Sequence, residues 1–175
     1  MRPAPFLLAL VLASGISGAA EAACADPPAP GVDWSRCFSP NRDLHGVDLT
    51  GAVLQQATLN NGRMDKAKLP GADARRTKFI ATSLKGANFT DARLFEADFS
   101  RANLEGASFR GADLRRSRFF RANLRDADFT AANMDGADLL HADLSGALWV
   151  DGKTRCADNS VGQCHPAPSE AISGG

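Results

Sequence analysis

Large apolar residues recur at every fifth position through most of this chain. Between Leu44 and Trp149 there are 22 such central positions, and all but Ala74 hold Leu, Phe, Met or Trp. A second column precedes them by two positions, and 20 of its 22 members are Ala, Gly, Ser or Thr; Arg42 and Val47 differ. Both columns therefore follow one repeat of five residues, without an insertion or a deletion.

Neither an α-helix nor a flat strand accounts for this period. Five helical steps turn the chain by about 500°, so that successive apolar groups would point about 140° apart. Five steps along a strand move the side chain to the opposite face. A backbone that turns a corner every five residues keeps both columns inside, and four corners close a square coil whose laps stack at β-sheet spacing, about 4.8 Å. The sequence predicts an all-β solenoid of about five to six coils of about 20 residues each.

The central column alternates between Phe and Leu from Phe79 to Phe129. Because a ten-residue alternation divides evenly into a 20-residue coil, we expect Phe to stack on Phe along two opposite faces. Eight glycines lie two residues after central positions, where we expect corners with positive φ. Ala74 is a predicted weak point, since its coil lacks a large central side chain.

Several segments resemble the pentapeptide-repeat motif, Ala-(Asp/Asn)-Leu-x-x. They are residues 102–106 (ANLEG), 112–116 (ADLRR) and 142–146 (ADLSG), and the resemblance covers about Val32 to Val150. It implies a right-handed quadrilateral β-helix, whereas a shared fold implies little about activity. Some members of the family protect DNA gyrase from quinolones by resembling a DNA duplex, which gives DNA mimicry as an alternative function. That resemblance depends on an acidic rod in the cytoplasm.

The first residues are typical of an exported protein. Residues 1–22 combine a basic start, an apolar run at 6–16 and small residues before a cleavage site at Ala23, so we predict a signal peptide. The apolar run is too short to span a bilayer, and we expect no transmembrane segment after cleavage. A lipoprotein alternative would need an apolar residue at Glu21, three places before Cys24. We therefore expect a periplasmic or secreted bacterial protein.

The rest of the chain divides by composition and period. We predict a flexible N-terminal segment at 23–31, the solenoid at 32–150, a cap at 151–165 and a disordered tail at 166–175. Trp34 continues the central column backwards and is expected to cover the first coil. The cap is expected to cover the sheet edge that the last coil would otherwise expose.

Four cysteines remain after cleavage, and an even number in an exported protein favours disulfides. The two ends of the rod are expected to lie about 26 Å apart at β spacing. Since a disulfide needs Cα atoms within about 7 Å, we predict the pairs Cys24–Cys37 and Cys156–Cys164. A metal site at Cys156, Cys164, His165 and perhaps His141 is the alternative, but no CxxC motif or close His pair supports it. We predict no metal and no cofactor.

With the interior filled by the two columns, function must use the side chains at the corners. Two neighbouring corners combine arginines with exposed aromatic residues, a mixture typical of protein-binding sites. We call this set the Arg/Phe surface; it comprises Arg75, Arg76, Phe95, Arg101, Arg115, Arg116, Phe120 and Arg121. At corner positions only Glu96 and Asp135 oppose its charge. The expected partner is a protein or an anionic envelope polymer; the alternative is that these corners are merely solvated.

Nothing in the sequence nominates a catalytic group. The many Asp and Asn residues before the central column recur with the repeat, regardless of chemistry. His45, His141 and His165 have no triad-like neighbours, and no glycine-rich phosphate loop is present. Lys and Arg equal Asp and Glu at 20 each, so the net charge does not favour nucleic acid as a partner. The sequence therefore predicts a non-enzymatic exported scaffold that binds no nucleic acid.

Overall fold

The computed structural model describes residues 24–167, so that the predicted signal peptide and positions 168–175 of the predicted tail lie outside the described residues. The backbone forms a continuous ladder of single-residue parallel bridges. Every fifth residue from Asp33 to Asp128 pairs with the residue 20 positions further along, beginning with Asp33–Val53 and ending with Asp128–Leu148. Each lap therefore contains 20 residues. Within residues 24–167, no helix has the length and apolar character needed to cross a bilayer.

Four faces and four corners make up each lap. Face 1 carries Leu94, face 2 carries Phe99, face 3 carries Leu104 and face 4 carries Phe109, each with the residues 20 positions before and after it. Corners 1 to 4 are the two-residue turns that follow the faces of the same number. Corner 1 thus includes residues 95 and 96, and corner 2 includes residues 100 and 101.

Phenylalanine rings form two ladders inside the coil. On face 2, the Phe99 ring is stacked on the rings of Phe79 and Phe119, with centroids 5.0 and 5.1 Å apart. On face 4, the Phe109 ring lies in the same way between those of Phe89 and Phe129, at 5.2 and 5.3 Å. The ladders meet edge to face across the interior. This is the arrangement that the ten-residue alternation predicts.

The coil at Ala74 keeps its hydrogen bonding. Ala74 is fully buried, its N–H donates to the Arg93 carbonyl at 2.8 Å, and the Leu54 N–H below donates to the Asp73 carbonyl at 2.8 Å. The hydroxyl of Thr82, in the small column, donates to the Leu59 carbonyl of the preceding lap at 2.8 Å. The interior thus accepts a small central residue and small polar residues without a break in the ladder.

The N-terminal end is closed by side chains and a disulfide. Cys24 is bonded to Cys37, and the indole N–H of the buried Trp34 donates to the Asp26 carbonyl at 3.2 Å. Arg42, an exception in the small column, lies with its guanidinium 4.4 Å from the Trp34 ring centroid. The first lap has no lap beneath it, so a long side chain fits at this position.

The segment predicted to be flexible at 23–31 lies, in its described part, against the first lap. Its disulfide and the indole contact hold one end, and the Gly31 N–H donates to the Thr50 carbonyl at 2.8 Å. The prediction rested on a Pro- and Gly-rich composition, which does not reveal contacts made by a cysteine and by a carbonyl group. The disulfide also uses the Cys24 sulfur that a lipid thioether would need.

The C-terminal end is capped over two of its four faces. Arg155 and Val161 bridge antiparallel to Leu148 and Asp143, so the cap covers faces 3 and 4. Over faces 1 and 2, Met134 and Leu139 stay partly exposed, and within residues 24–167 their N–H groups have no backbone acceptor. Cys156 is bonded to Cys164, so the alternative metal site has no free thiolates. The Ala167 N–H donates to the Arg155 carbonyl, which shows that the cap continues to residue 167.

Candidate interaction surface on two adjacent corners

The structure divides the predicted Arg/Phe surface between corners 1 and 2. Corner 1 carries five of the eight residues, namely Arg75, Arg76, Phe95, Arg115 and Arg116. Corner 2 carries Arg101, Phe120 and Arg121. Face 2 lies between them and presents Asp98 and Arg118, which form an ion pair at 3.6 Å. The two clusters therefore border one face, but they differ in charge.

At corner 1 the first arginine column is neutralised by the face beside it. Arg75 donates two hydrogen bonds to the Asp73 carboxylate, at 2.8 and 2.7 Å. Arg115 does the same to Asp113, with both bonds at 2.8 Å. These side-chain hydrogen bonds hold the pKa of each carboxyl group below its usual range. Each guanidinium is fixed in direction, and its charge is balanced locally.

The second column of corner 1 is also paired. The Glu96 carboxylate accepts a hydrogen bond from Arg76 at 2.8 Å and lies 3.5 Å from the Arg116 guanidinium one lap later. Phe95 lies half-buried in the first column, on the lap between those of Arg75 and Arg115, with the Arg115 guanidinium 5.7 Å from its ring centroid. The arginines of corner 1 around Phe95 are therefore all paired with carboxylates.

Corner 2 keeps its positive charge. Within residues 24–167, neither Arg101 nor Arg121 has a carboxylate within ion-pair distance. They occupy the same place on successive laps, since the Arg101 N–H donates to the Phe120 carbonyl at 2.8 Å. The Arg121 guanidinium lies 5.1 Å from the Phe120 ring centroid, and the His141 ring centroid lies 5.8 Å from it, with the two rings at 71° to each other. Leu140, 55% exposed, borders the cluster.

Sequence reasoning missed the compensation at corner 1 and the extent of corner 2. It counted only acidic residues at corner positions, whereas Asp73 and Asp113 stand on face 1. The Asp-x-Arg spacing in residues 73–75 and 113–115 is the signal that could have found these pairs. At corner 2 the sequence already places Leu140 among the apolar corner residues, whereas His141 was missed; a 20-residue offset from Arg121 is the signal that could have found it.

The repeated Asp and Asn column has a structural role in the turns. The Asp98 carboxylate accepts a hydrogen bond from the Ser100 N–H at 2.9 Å, and the Asn123 side-chain oxygen accepts one from the Arg125 N–H at 3.1 Å. Such side chains stabilise the turn two residues on. In the cap, hydrogen bonds from Thr154 lower the pKa of Asp151 to about 2. These contacts explain the recurrence of Asp and Asn without a catalytic role.

One backbone feature distinguishes corners 1 and 2 from corners 3 and 4. The second residue of the corners has a positive φ, between 55° and 74° from Arg36 to Gly146, where Gly is the least strained residue. Gly holds seven of the eleven places on corners 3 and 4 but one of the twelve on corners 1 and 2. The seven are Gly46, Gly51, Gly71, Gly86, Gly106, Gly111 and Gly146, and the one is Gly136.

On corners 1 and 2, Arg holds five of the remaining places: Arg36, Arg76, Arg101, Arg116 and Arg121. A side chain in this conformation is disfavoured by roughly 1–2 kcal/mol relative to the right-handed region. Side chains are thus retained on one half of the solenoid against the local backbone preference.

The fold and this surface define a class: a β-solenoid with a five-residue repeat that presents side chains in columns. Sequence comparison gives the family. A family described as "Pentapeptide repeat region" matches residues 52–129, and "Pentapeptide repeats (8 copies)" matches residues 112–148. The chain belongs to the pentapeptide-repeat family. None of the curated proteins compared with it matches.

Solved structures of the family resemble this chain. HetL, a pentapeptide repeat protein involved in heterocyst differentiation regulation in the cyanobacterium Nostoc sp. strain PCC 7120, is 30% identical, with a TM-score of 0.50 over 70% of this chain and 64% of HetL. This chain therefore spans less than two thirds of HetL. A protein of the Arabidopsis thaliana thylakoid lumen is 26% identical, with a TM-score of 0.44 over 71% and 84%. QnrB1, a plasmid-mediated fluoroquinolone resistance protein, is 22% identical, with a TM-score of 0.48 over 66% and 70%.

Proposed function

We propose that this protein is a non-enzymatic, exported scaffold of the periplasm or cell envelope that binds a protein partner through the Arg/Phe surface. Pentapeptide-repeat proteins are generally structural or interaction proteins rather than enzymes. In this proposal a right-handed coil of about five to six laps provides a rigid support at β spacing. Corners 1 and 2, with face 2 between them, provide the contacts.

The distribution of positive-φ residues is the observation that carries the proposal. All four corners have the same backbone conformation, but only corners 3 and 4 mostly use Gly. Stability alone favours Gly at every corner. Side chains that persist in a disfavoured conformation cluster at functional sites, and here they gather on one side of the molecule.

The chemistry of the same corners supports protein binding. Phe95 and Phe120 are half-buried, and each has an arginine guanidinium 5.7 or 5.1 Å from its ring centroid. Arginine and aromatic residues dominate the energetic centres of protein interfaces. At corner 1 the guanidinium groups are held in place by carboxylates, so little side-chain freedom remains to be lost on binding.

Export is supported by the first 22 residues and by the cysteines. Both disulfides bind segments to the ends of the solenoid, and disulfides persist chiefly in oxidising compartments such as the periplasm. The predicted signal peptide and the two disulfides both favour a compartment outside the cytoplasm.

DNA mimicry is not favoured by this surface. A duplex mimic presents carboxylates in place of phosphates, whereas Arg101 and Arg121 at corner 2 leave positive charge uncompensated. The formal net charge is zero.

Affinity capture tests the proposal. The mature, oxidised protein is used to capture partners from a bacterial envelope extract, beside a variant in which Arg115, Arg116, Phe120 and Arg121 are changed to Ser. A control variant carries Lys66, Lys85, Arg110 and Arg125 changed to Ser on corners 3 and 4. We expect quantitative mass spectrometry to find a partner with the wild type and the control but not with the first variant. Capture of the same partners by all three proteins would contradict the proposal.

A further inference from the structure

We infer that corner 2 binds an acidic segment of the partner protein, with carboxylates on Arg101 and Arg121 and an apolar side chain against Phe120. This inference rests on the proposed function, because it names the kind of partner that the Arg/Phe surface takes. It concerns corner 2 alone, since the arginines of corner 1 already have carboxylate partners.

The charge balance within the surface selects corner 2. Arg75, Arg76, Arg115 and Arg116 each lie 2.7 to 3.5 Å from a carboxylate oxygen. Arg101 and Arg121 have no such neighbour among residues 24–167, although they occupy equivalent positions on adjacent laps, whose backbones are about 4.8 Å apart. Like charges at this spacing repel, and a carboxylate placed between them relieves the repulsion while accepting charge-assisted hydrogen bonds.

The basic residues of this column lie towards its C-terminal end. The second residues of corner 2 run Asn41, Asn61, Ala81, Arg101, Arg121 and His141. All six have φ between 55° and 60°, so the backbone does not explain why the basic residues gather on the last three laps. The strip that they form has no acidic residue at its own corner positions, which are Ser100, Phe120 and Leu140.

Apolar neighbours point to a polypeptide rather than to a phosphate or sugar polymer. The Phe120 ring has the Arg121 guanidinium 5.1 Å and the His141 ring centroid 5.8 Å from its own centroid, and Leu140 is 55% exposed on the next lap. An anionic polymer without apolar groups leaves Phe120 and Leu140 in water. An acidic peptide with an interspersed apolar residue covers these side chains and pairs with the arginines in one contact.

Fluorescence anisotropy with defined peptides tests the inference. The probe is a fluorescein-labelled ten-residue peptide of glutamates with one Leu and one Phe, and the control peptide has glutamine in place of each glutamate. At about 50 mM salt, where surface charges are weakly screened, we expect the mature protein to bind the acidic peptide at least about tenfold more tightly than the control peptide.

Variants separate corner 2 from net charge. We expect Arg101→Glu with Arg121→Glu to weaken binding at least about tenfold, and Phe120→Ser to weaken it about threefold or more. Arg110→Glu with Arg125→Glu makes the same charge change on corners 4 and 3, and we expect less than about a threefold effect. Far-ultraviolet circular dichroism of each variant verifies that the β signal is retained.

Several results would overturn the inference. One is an equal loss of binding in both charge-reversed proteins, and another is equal binding of the two peptides. Tighter binding of inorganic polyphosphate, with no effect of Phe120→Ser, would assign corner 2 to an anionic polymer instead. Absence of peptide binding up to about 1 mM would also contradict the inference, since two unpaired arginines and an aromatic ring should exceed that affinity. The capture experiment tests the proposed function separately, because it does not depend on which corner the partner contacts.

Discussion

Corners 1 and 2 differ from corners 3 and 4 in side chains but not in backbone. Arg121 has φ of 55° and Gly106 has φ of 66°, and each N–H donates to a carbonyl of the next lap at 3.0 and 2.8 Å. One half of the solenoid uses the residue that this conformation favours, and the other half retains arginine, asparagine and glutamine. The contrast shows that the fold does not dictate the residues at corners 1 and 2, so another requirement must select them.

The largest expected effect comes from adding a side chain to a glycine corner. Gly106→Ala should lower the free energy of unfolding by about 0.5–1 kcal/mol, because the cost of a side chain at φ of +66°, about 1–2 kcal/mol, exceeds the unfolded-state entropy that Ala removes, about 0.4–1 kcal/mol. A Cβ there meets no atom within 4 Å, so the loss is purely conformational. Arg121→Ala is the matched control, with an expected change near zero on stability, since that position already has a side chain. Urea unfolding measures both, and equal losses would contradict the contrast between the corners.

A second prediction concerns the charge that Glu96 balances at corner 1. Glu96→Gln releases Arg76 and Arg116, which lie 2.8 and 3.5 Å from its carboxylate. Corner 1 should then resemble corner 2 and bind the acidic peptide about threefold more tightly by anisotropy, with a loss of stability below about 1 kcal/mol because the pairs are exposed. Glu105→Gln, which removes the partner of Lys85 on corner 3, is the control and should leave peptide binding unchanged. Unaltered binding by both variants would show that corner 1 does not contribute charge to binding.

The smallest expected effect is on acid stability. Hydrogen bonds from Arg75 and Arg115 lower the pKa of Asp73 and Asp113 below the ordinary value of 3.8 for an aspartate. A carboxyl group whose pKa is lower in the folded state adds stability above its unfolded pKa and loses that contribution as the pH falls through the folded pKa. Asp73→Asn with Asp113→Asn should therefore reduce the loss of stability as the pH falls from 5 towards and below 3.8. Urea unfolding across that range, followed by circular dichroism, measures the slope; a slope equal to that of the wild type would contradict the ion-pair geometry.

The interior was predictable because one physical rule determines it. A central residue every fifth position, such as Phe99, must point to the axis, and the ten-residue alternation places Phe119 directly above it. The number of laps also gives the length of the rod, from which we predicted that cysteines at opposite ends are too far apart to form a disulfide. These predictions depend only on periodicity and chain length, which the sequence states directly.

The surface was less predictable because it depends on side-chain contacts between columns. Asp73 and Asp113 belong to a column that recurs with the repeat. Their hydrogen bonds to Arg75 and Arg115 depend on the rotamers of these side chains, which the repeat does not determine. At the N-terminal end, Arg42 broke the small-residue rule because the lap below it is missing. Such exceptions have no period, and contacts made by single residues leave no pattern in the sequence.

The unfolding free energy of the Arg101→Gly, Arg121→Gly variant tests most directly whether side chains are retained at corner 2 against the preference of the backbone. Relief of the positive-φ conformation, about 1–2 kcal/mol per residue, should exceed the added entropy of Gly in the unfolded chain, about 0.4–1 kcal/mol. We expect urea unfolding to show a gain of about 1 kcal/mol in total for a protein that no longer binds the acidic peptide. A variant no more stable than the wild type would contradict this account, since the arginines would then have no conformational cost for function to explain.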